Sequence, residues 1–305
     1  MSAALPPVRV SASWLRLREA ADAAARAEDL LEPVREVLAA GPERPADGLV
    51  IRDLGCGTGA MGRWLAGRLP GPQHWVLYDL DPDLLRHAAA GMAGAAAGGT
   101  PVTAAGGTAG TAADGRPVTA ADGTPVTVAT RRQDVTRLTA GDLAGTTLVT
   151  ASALLDLFTG EEVAALAAAC VRANCPALLT LSVVGRVTLT PADPLDEEIN
   201  AAFNAHQRRH AAGRKLLGPD AVDAAATEFD RLGARVRVRP SPWRLDGRDG
   251  PLQREWLRAW VGAACKQRPD LATAAAAYLD RRLTAATAGE LRVVVGHSDL
   301  LAYQP

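Results

Sequence analysis

Residues 53–62 read DLGCGTGAMG and follow the apolar run Leu49–Ile51 across the single residue Arg52. Four glycines in ten residues after a short hydrophobic segment dictate a sharp turn, because glycine alone takes positive φ without steric cost. The segment before them, LVIRDLG, is short, apolar and bounded by turn residues, the pattern of a strand buried on both faces of a parallel sheet. AMGRWLAGRLP after them reads as a helix ended by Pro70. Strand, glycine turn and helix make the opening unit of a βαβ fold. The helix N-terminus leaves free N–H groups for whatever binds there.

The alternation persists along the chain. QHWVLYDLDP reads as a second strand ending in acids, and DPDLLRHAAAGM as a helix capped by Asp81 with Pro82 at its first position. PVTVATRRQDV is a third strand, GTTLVTAS a fourth, GEEVAALAAACVRAN the helix after it, and PALLTLSVVG a fifth. This predicts a doubly wound α/β sheet with helices on both faces. Upstream, residues 11–40 carry apolar residues at helical spacing, with Pro33 as the expected break. Downstream, residues 186–218 are too long for a simple connection and are expected to lay a helix over the open end of the sheet. GPDAVDAAATEFDRLGA, PLQREWLRAWVGAACKQ and PDLATAAAAYLDRRLTAATAG read as further helices, and ELRVVVGHSDLLA as the last strand. RVRVRPSPWRL alternates Arg235, Arg237 and Arg239 with Val236 and Val238, a charge pattern that guards an edge strand. Residues 91–122 interrupt the rhythm with the near copies GTPVTAA and GRPVTAA, ahead of GTPVTVA at Gly123. Such small residues bury too little to offset the cost of ordering, so a disordered surface loop is expected.

Thirty-three Lys+Arg against 34 Asp+Glu give a net charge of −1. No basic excess exists to hold a phosphate backbone, which argues against nucleic acid as a partner. The first ten residues lack the apolar core of a signal peptide and no apolar run is long enough to span a bilayer. No membrane association and a cytoplasmic location are therefore expected. The four cysteines, Cys56, Cys170, Cys175 and Cys265, form no C-x-x-C pair, which argues for reduced thiols and against a structural zinc. His206 and His210 lie four apart without a nearby acidic ligand, and read as a solvated helix face rather than a metal pair.

The glycine turn alone does not identify its ligand. GTGAMG, residues 57–62, fits the G-x-G-x-x-G pattern of dinucleotide binders, while the frame from Asp53 fits the acid-then-glycines turn that holds S-adenosylmethionine. Asp79 follows Gly57 by 22 residues, where a carboxylate meets ribose hydroxyls in either case. Two acids favour the second ligand. Asp53 ends the first strand, where dinucleotide folds usually continue apolar, and Asp134 in RRQDV ends the third, where it can meet an adenine edge. Acids after strands one, two and three all point into one crevice at the carboxyl edge of the sheet.

On these residues the chain resembles the class I S-adenosylmethionine-dependent methyltransferases. VIRDLGCGTGAMGRWLA is similar to their first motif, WVLYDLDPDLL to the second, RRQDVTRL to the third and LVTASALLDLF to the fourth. The resemblance covers residues 48–185, and the end of the chain fits the family's terminal β-hairpin more loosely. It implies a Rossmann-like doubly wound seven-stranded sheet, mostly parallel with an antiparallel last strand. It also implies S-adenosyl-L-methionine as cofactor, with S-adenosyl-L-homocysteine as product. A single domain, 1–305, is then expected. Its parts are a helical cap at 1–47, a cofactor-binding core at 48–185 carrying the 91–122 insertion, a lid-like insertion at 186–218, and C-terminal helices with a β-hairpin at 219–305.

Residue by residue, the resemblance implies that Gly55, Cys56, Gly57 and Gly59 wrap the methionine portion while Asp53 fixes the turn and the amino group. Asp79 takes the ribose diol and Leu80 packs on adenine. Asp134 accepts from the adenine amino group, the Val135 N–H meets a ring nitrogen, and Ser152 and Ala153 lie beside the sulfonium. Because that sulfonium is already electrophilic, the protein mainly aligns a nucleophile and excludes water. A general base is needed only where the acceptor must lose a proton. Asp156 is the candidate, set against a solvated acid at a helix start. The near-neutral charge favours a small-molecule acceptor over a protein or RNA, and an NAD-dependent oxidoreductase is the rival from another class. Arg18 and Arg26 come into question for the cofactor carboxylate, although a surface role is favoured for both. Arg208 and Arg209 come into question for an anionic acceptor, with an exposed helix face favoured. Trp243, Trp256 and Trp260 come into question for an aromatic acceptor pocket, while the spacing of Trp256 and Trp260 also fits a core-facing helix, and the core is favoured.

Overall fold

The computed structural model describes residues 10–40, 48–92 and 118–305. Strands β1 (Leu49–Leu54), β2 (Gln73–Asp79), β3 (Val126–Arg132), β4 (Leu148–Ser152) and β5 (Ala177–Thr190) are parallel neighbours in the order β3-β2-β1-β4-β5. A two-stranded hairpin of β6 (His210–Ala211) and β7 (Arg214–Lys215) stands apart from this sheet. The strands β8 (Arg235–Pro240), β9 (Trp243–Leu245) and β10 (Arg292–Tyr303) complete it. β10 runs antiparallel between β5 and β8, and β9 pairs with its first residues. Among the described residues the helices are α1 (Ala12–Ala25), α2 (Leu31–Ala40), α3 (Ala60–Ala66), α4 (Pro82–Met92), α5 (Gly160–Arg172), α6 (Asp196–Gln207), α7 (Ala221–Arg231), α8 (Gly250–Gln267) and α9 (Ala272–Thr287).

The period-two alternation of strand side chains divides the main core between two faces. Leu54, Val76, Val149 and Leu179 pack with Phe158, Leu166 and Phe229 beneath α5 and α7. Ile51, Trp75, Leu148 and Leu178 pack with Val34, Trp64, Leu65 and Leu85 beneath α2, α3 and α4. A third core stands beyond the carboxyl edge. Thr180 of β5 is level with Ser152, the last residue of β4, so the rest of β5 runs on past its parallel neighbours. There it pairs with the first half of β10, and Leu189, Val293, Val295 and Trp243 pack against Ile199, Trp260 and Tyr278 of α6, α8 and α9. Trp256 stacks on Trp260 with ring centroids 4.9 Å apart. Trp256 and Trp260 are core residues, as favoured, and Trp243 joins them there.

Several boundaries differ from the sequence reading. The break in the N-terminal helical segment falls at Arg26–Ala27 and not at Pro33. Pro33 sits in the first turn of α2, where backbone N–H groups have no intrahelical partner to lose. β5 does not stop at Gly185 but continues through Thr190, because Val187 and Leu189 find partners in Val295 and Val293. The sheet has an eighth strand, the short β9. Of the 91–122 insertion, residues 93–117 lie outside the described residues, but both ends are ordered. Gly91 and Met92 close α4, Thr119 bridges Pro125, and the Ala121 N–H donates to the Leu69 carbonyl at 3.0 Å. The arginine-bearing strand β8 lies at the sheet edge, as expected.

Candidate active site

The β1–α3 turn has the backbone that its glycines foretell, with φ of +63° at Gly55, +55° at Gly57 and +81° at Gly59. It is stitched to the end of β2. The Cys56 N–H donates to the Tyr78 carbonyl at 2.8 Å and the Gly57 N–H to Asp79 Oδ2 at 3.0 Å. The other Asp79 oxygen accepts the Asp81 N–H at 2.9 Å, while Asp81 itself caps α4 through the Asp83 N–H at 2.8 Å. Burial holds the Asp79 carboxyl above the usual carboxylate range, against the backbone hydrogen bonds from Asp81 and Gly57 that lower it. Leu80, beside it, is 41% exposed.

Asp53, next to last in β1, has 1% of its surface exposed. Its Oδ1 accepts the Thr150 hydroxyl across to β4 at 2.8 Å, whereas Oδ2 has no partner among the described residues. Burial raises its pKa to about 7, tempered by the Thr150 hydrogen bond and by the Arg26 charge. Asp134 is placed differently. Its Oδ1 accepts from the Thr136 N–H and hydroxyl at 3.1 and 2.7 Å, capping the short turn that begins at Val135, and Arg137 stands 3.6 Å from its Oδ2. Asp53 and Asp79 thus meet at the glycine turn, while Asp134 waits at the end of β3 with one oxygen engaged locally. Ala153 leaves β4 with φ +51° and its N–H on the Thr180 carbonyl at 2.9 Å.

Helix α1 supplies neighbours that the sequence did not disclose. Leu15 Cδ1 lies 2.9 Å from where a Cβ on Gly57 would stand, and Leu154 Cδ1 lies equally close to such a Cβ on Gly55. Glu19 pairs with Arg63 of α3 at 2.6 Å, and Arg63 also donates to the Thr58 carbonyl at 2.6 Å. The favoured surface role fails for both arginines of α1 and its exit. Arg18 is held by Asp22 at 2.9 Å and lies 4.9 Å from the Trp243 ring centroid. Arg26 is 3% exposed, and its Nη2 donates to Ser152 Oγ at 3.2 Å. Amphipathic spacing places neither residue inside, because Arg18 is half-buried against Trp243 and Arg26 buried against Ser152 and Trp64, all contributed by other elements.

Asp156 lies on the short turn Leu155–Leu157 after β4 and is half-buried. It caps no helix; the capping box of α5 belongs to Thr159 and Glu162. Burial pushes its pKa up to about 6, moderated by the Arg18 and Arg209 charges. Arg209 donates to the His206 carbonyl at 3.0 Å, while Arg208 turns away to pair with Asp220 at 2.6 Å. His297 of β10 stacks at a tilt on Trp243, with centroids 5.3 Å apart. Burial and the Arg18 charge lower its pKa to about 3, so the ring is neutral. Among the described residues no group of three His, Cys, Asp or Glu is placed to hold a metal, and no helix is long and apolar enough to cross a membrane.

No protein-family profile matches the chain. Over 42 residues it is 52% identical to the biotin biosynthesis bifunctional protein BioCD of Bordetella avium (strain 197N), a stretch that spans 14% of this chain and 9% of that protein. Among solved structures, the cyclopropane synthase MmaA2 from Mycobacterium tuberculosis is 13% identical with a TM-score of 0.45, over 96% of this chain and 94% of that one. A SAM-dependent methyltransferase from Geobacter sulfurreducens, solved with S-adenosyl-L-homocysteine, is 15% identical with a TM-score of 0.41, over 95% and 98% of the two chains.

Proposed function

We propose that the protein is an S-adenosylmethionine-dependent methyltransferase acting on a small-molecule acceptor. The observation that carries this reading is Asp53 Oδ2, buried beside the glycine turn without a donor among the described residues. An unsatisfied buried acceptor costs about 1–3 kcal/mol, and an ammonium group of a ligand supplies what it lacks. The pyrophosphate of a dinucleotide would instead set anionic oxygens against it. The strand order supports the same choice. Dinucleotide-binding sheets continue parallel beyond the fifth strand, whereas here β10 enters antiparallel between β5 and β8.

The residues present fit this cofactor. The positive-φ glycines allow backbone to approach it closely. The Asp79 carboxylate has about four acceptor positions, of which backbone N–H groups take two, leaving others for ribose hydroxyls. Leu80 offers an exposed apolar surface to a base. Leu15 and Leu154 touch the turn through the ends of flexible side chains, which can yield by rotation. When bound, the cofactor supplies an electrophilic methyl group. The chain aligns the acceptor, and α1 with the third core shields the crevice from water. Asp156, with its pKa raised towards neutrality, takes the acceptor's proton where one must leave. On this reading residues 1–305 form one methyltransferase domain.

Thermal unfolding with added nucleotides tests the assignment. Protection by S-adenosyl-L-homocysteine but not by NAD(H) is the expected result. Protection by NAD(H) alone would overturn it in favour of an oxidoreductase. Transfer of label from methyl-labelled cofactor across a panel of acceptors then identifies the substrate.

A further inference from the structure

We infer that Arg26 is the carboxylate receptor of this site and that, with Asp53, it reads the zwitterionic end of an amino-acid-bearing ligand. The inference rests on the cofactor reading above.

Arg26 is buried, yet its Nε and Nη1 have no partner among the described residues. Two carboxylates whose charges it feels have their oxygens engaged by other donors. Asp22 accepts from Arg18 at 2.9 and 3.1 Å and from Trp243 Nε1 at 2.9 Å. Asp299 accepts the Leu181 N–H at 2.7 Å, the Ser241 hydroxyl at 2.5 Å and the Ala27 N–H at 2.9 Å. A buried guanidinium with open N–H groups calls for an anion, and a carboxylate matches its planar fork.

Its position is as telling as its open donors. Asp53 and Leu54 of β1 are level with Thr150 and Ala151 of β4, so Ser152, which Arg26 touches, lies one residue further along the adjoining strand. The guanidinium therefore sits where the strand order reverses between β1 and β4, the crevice in which open α/β sheets bind ligands. It is held there from both ends. The Trp64 ring centroid lies 5.3 Å from its central carbon, and the bond from the Ala27 N–H to Asp299 turns the chain inward just as α1 ends. Asp53, a neighbouring charge, contributes a buried carboxylate oxygen that has no donor among the described residues. Open cationic donors and an open acidic acceptor side by side complement an α-carboxylate and an α-ammonium on one carbon.

Binding of three nucleosides to the full chain tests this by calorimetry. They are S-adenosyl-L-homocysteine, its decarboxylated analogue with the amine kept, and 5′-methylthioadenosine, which lacks the amino-acid part. The wild type is expected to prefer S-adenosyl-L-homocysteine over the decarboxylated analogue by about 10- to 100-fold. Arg26→Gln should lose that preference while binding 5′-methylthioadenosine unchanged. Arg26→Lys, which keeps charge without the fork, should fall between. If Arg26→Gln does not fold, the lysine variant decides, and a preference equal to the wild type's overturns the assignment. Equal weakening of all three ligands by Arg26→Gln would make Arg26 a structural residue. A wild type that binds none of the three removes the cofactor reading itself, and this inference with it.

Discussion

The Gly57 N–H donates to the Asp79 carboxylate at 3.0 Å, tying the glycine turn to the end of the neighbouring strand. One side chain thus shapes the turn and, on the proposed assignment, keeps lone pairs for ribose hydroxyls. Asp79→Ala is expected to weaken S-adenosyl-L-homocysteine binding by about 100-fold or more, since each hydrogen bond to a charged group is worth about 1.5–3 kcal/mol. Calorimetry measures it, and an unchanged affinity would contradict the assignment.

Asp53 gives the site a pH dependence whose sign is fixed by burial. Its folded pKa of about 7 lies above the ordinary carboxylate value of about 3.9. Its contribution to stability is therefore complete below the unfolded value, declines as pH rises above it, and is gone once pH has passed about 7. Wild type minus Asp53→Asn should show stability falling from about pH 4 to about 7, the interval between the unfolded and the folded pKa. The ligand ammonium needs the carboxylate form, so S-adenosyl-L-homocysteine affinity should rise over the same window. A flat affinity profile in the wild type would remove Asp53 from the ammonium site.

Gly57 and Gly71 separate backbone strain from ligand contact. Both adopt positive φ, +55° and +83°, but an added Cβ at Gly57 meets Leu15 Cδ1 at 2.9 Å whereas Gly71 has nothing within 4 Å. Alanine at either position should cost about 1–3 kcal/mol for the strained backbone, read as a lower Tm. Only Gly57→Ala should also abolish cofactor binding; equal loss from Gly71→Ala would mean a global effect.

Asp156 carries opposite effects on stability and rate. Because burial disfavours its charge, Asp156→Asn should hold or raise the Tm at pH 8, where the wild-type group is ionised. For an acceptor that must lose a proton, transfer should slow by about 10²- to 10⁴-fold. The rate should rise with pH through about 6 in the wild type alone. A variant that unfolds at pH 8 would mark Asp156 as structural.

Much of this was legible along the chain because it depends on neighbours in sequence. Glycines after a short apolar run make a turn wherever they occur, Asp81 caps the helix it precedes, and β–α periodicity reports which face of each element is buried. Those local rules placed Asp53 and Asp79 at strand ends and arginine-rich β8 at the edge. Asp134 shows their limit, since the same local chemistry gave its oxygen to Thr136.

What the sequence could not determine was decided by partners remote along the chain. α1 ends at Ala25 because the Ala27 N–H finds the Asp299 carboxylate, 272 residues away. The same bend turns Arg26 under Ser152 and Trp64 rather than into solvent. β5 runs on to Thr190 because β10 returns to pair with it. Periodicity tells which side of an element faces inward, but only the assembled sheet sets which distant group meets it there, and hence which charges lose water and which hydrogen bonds stay open.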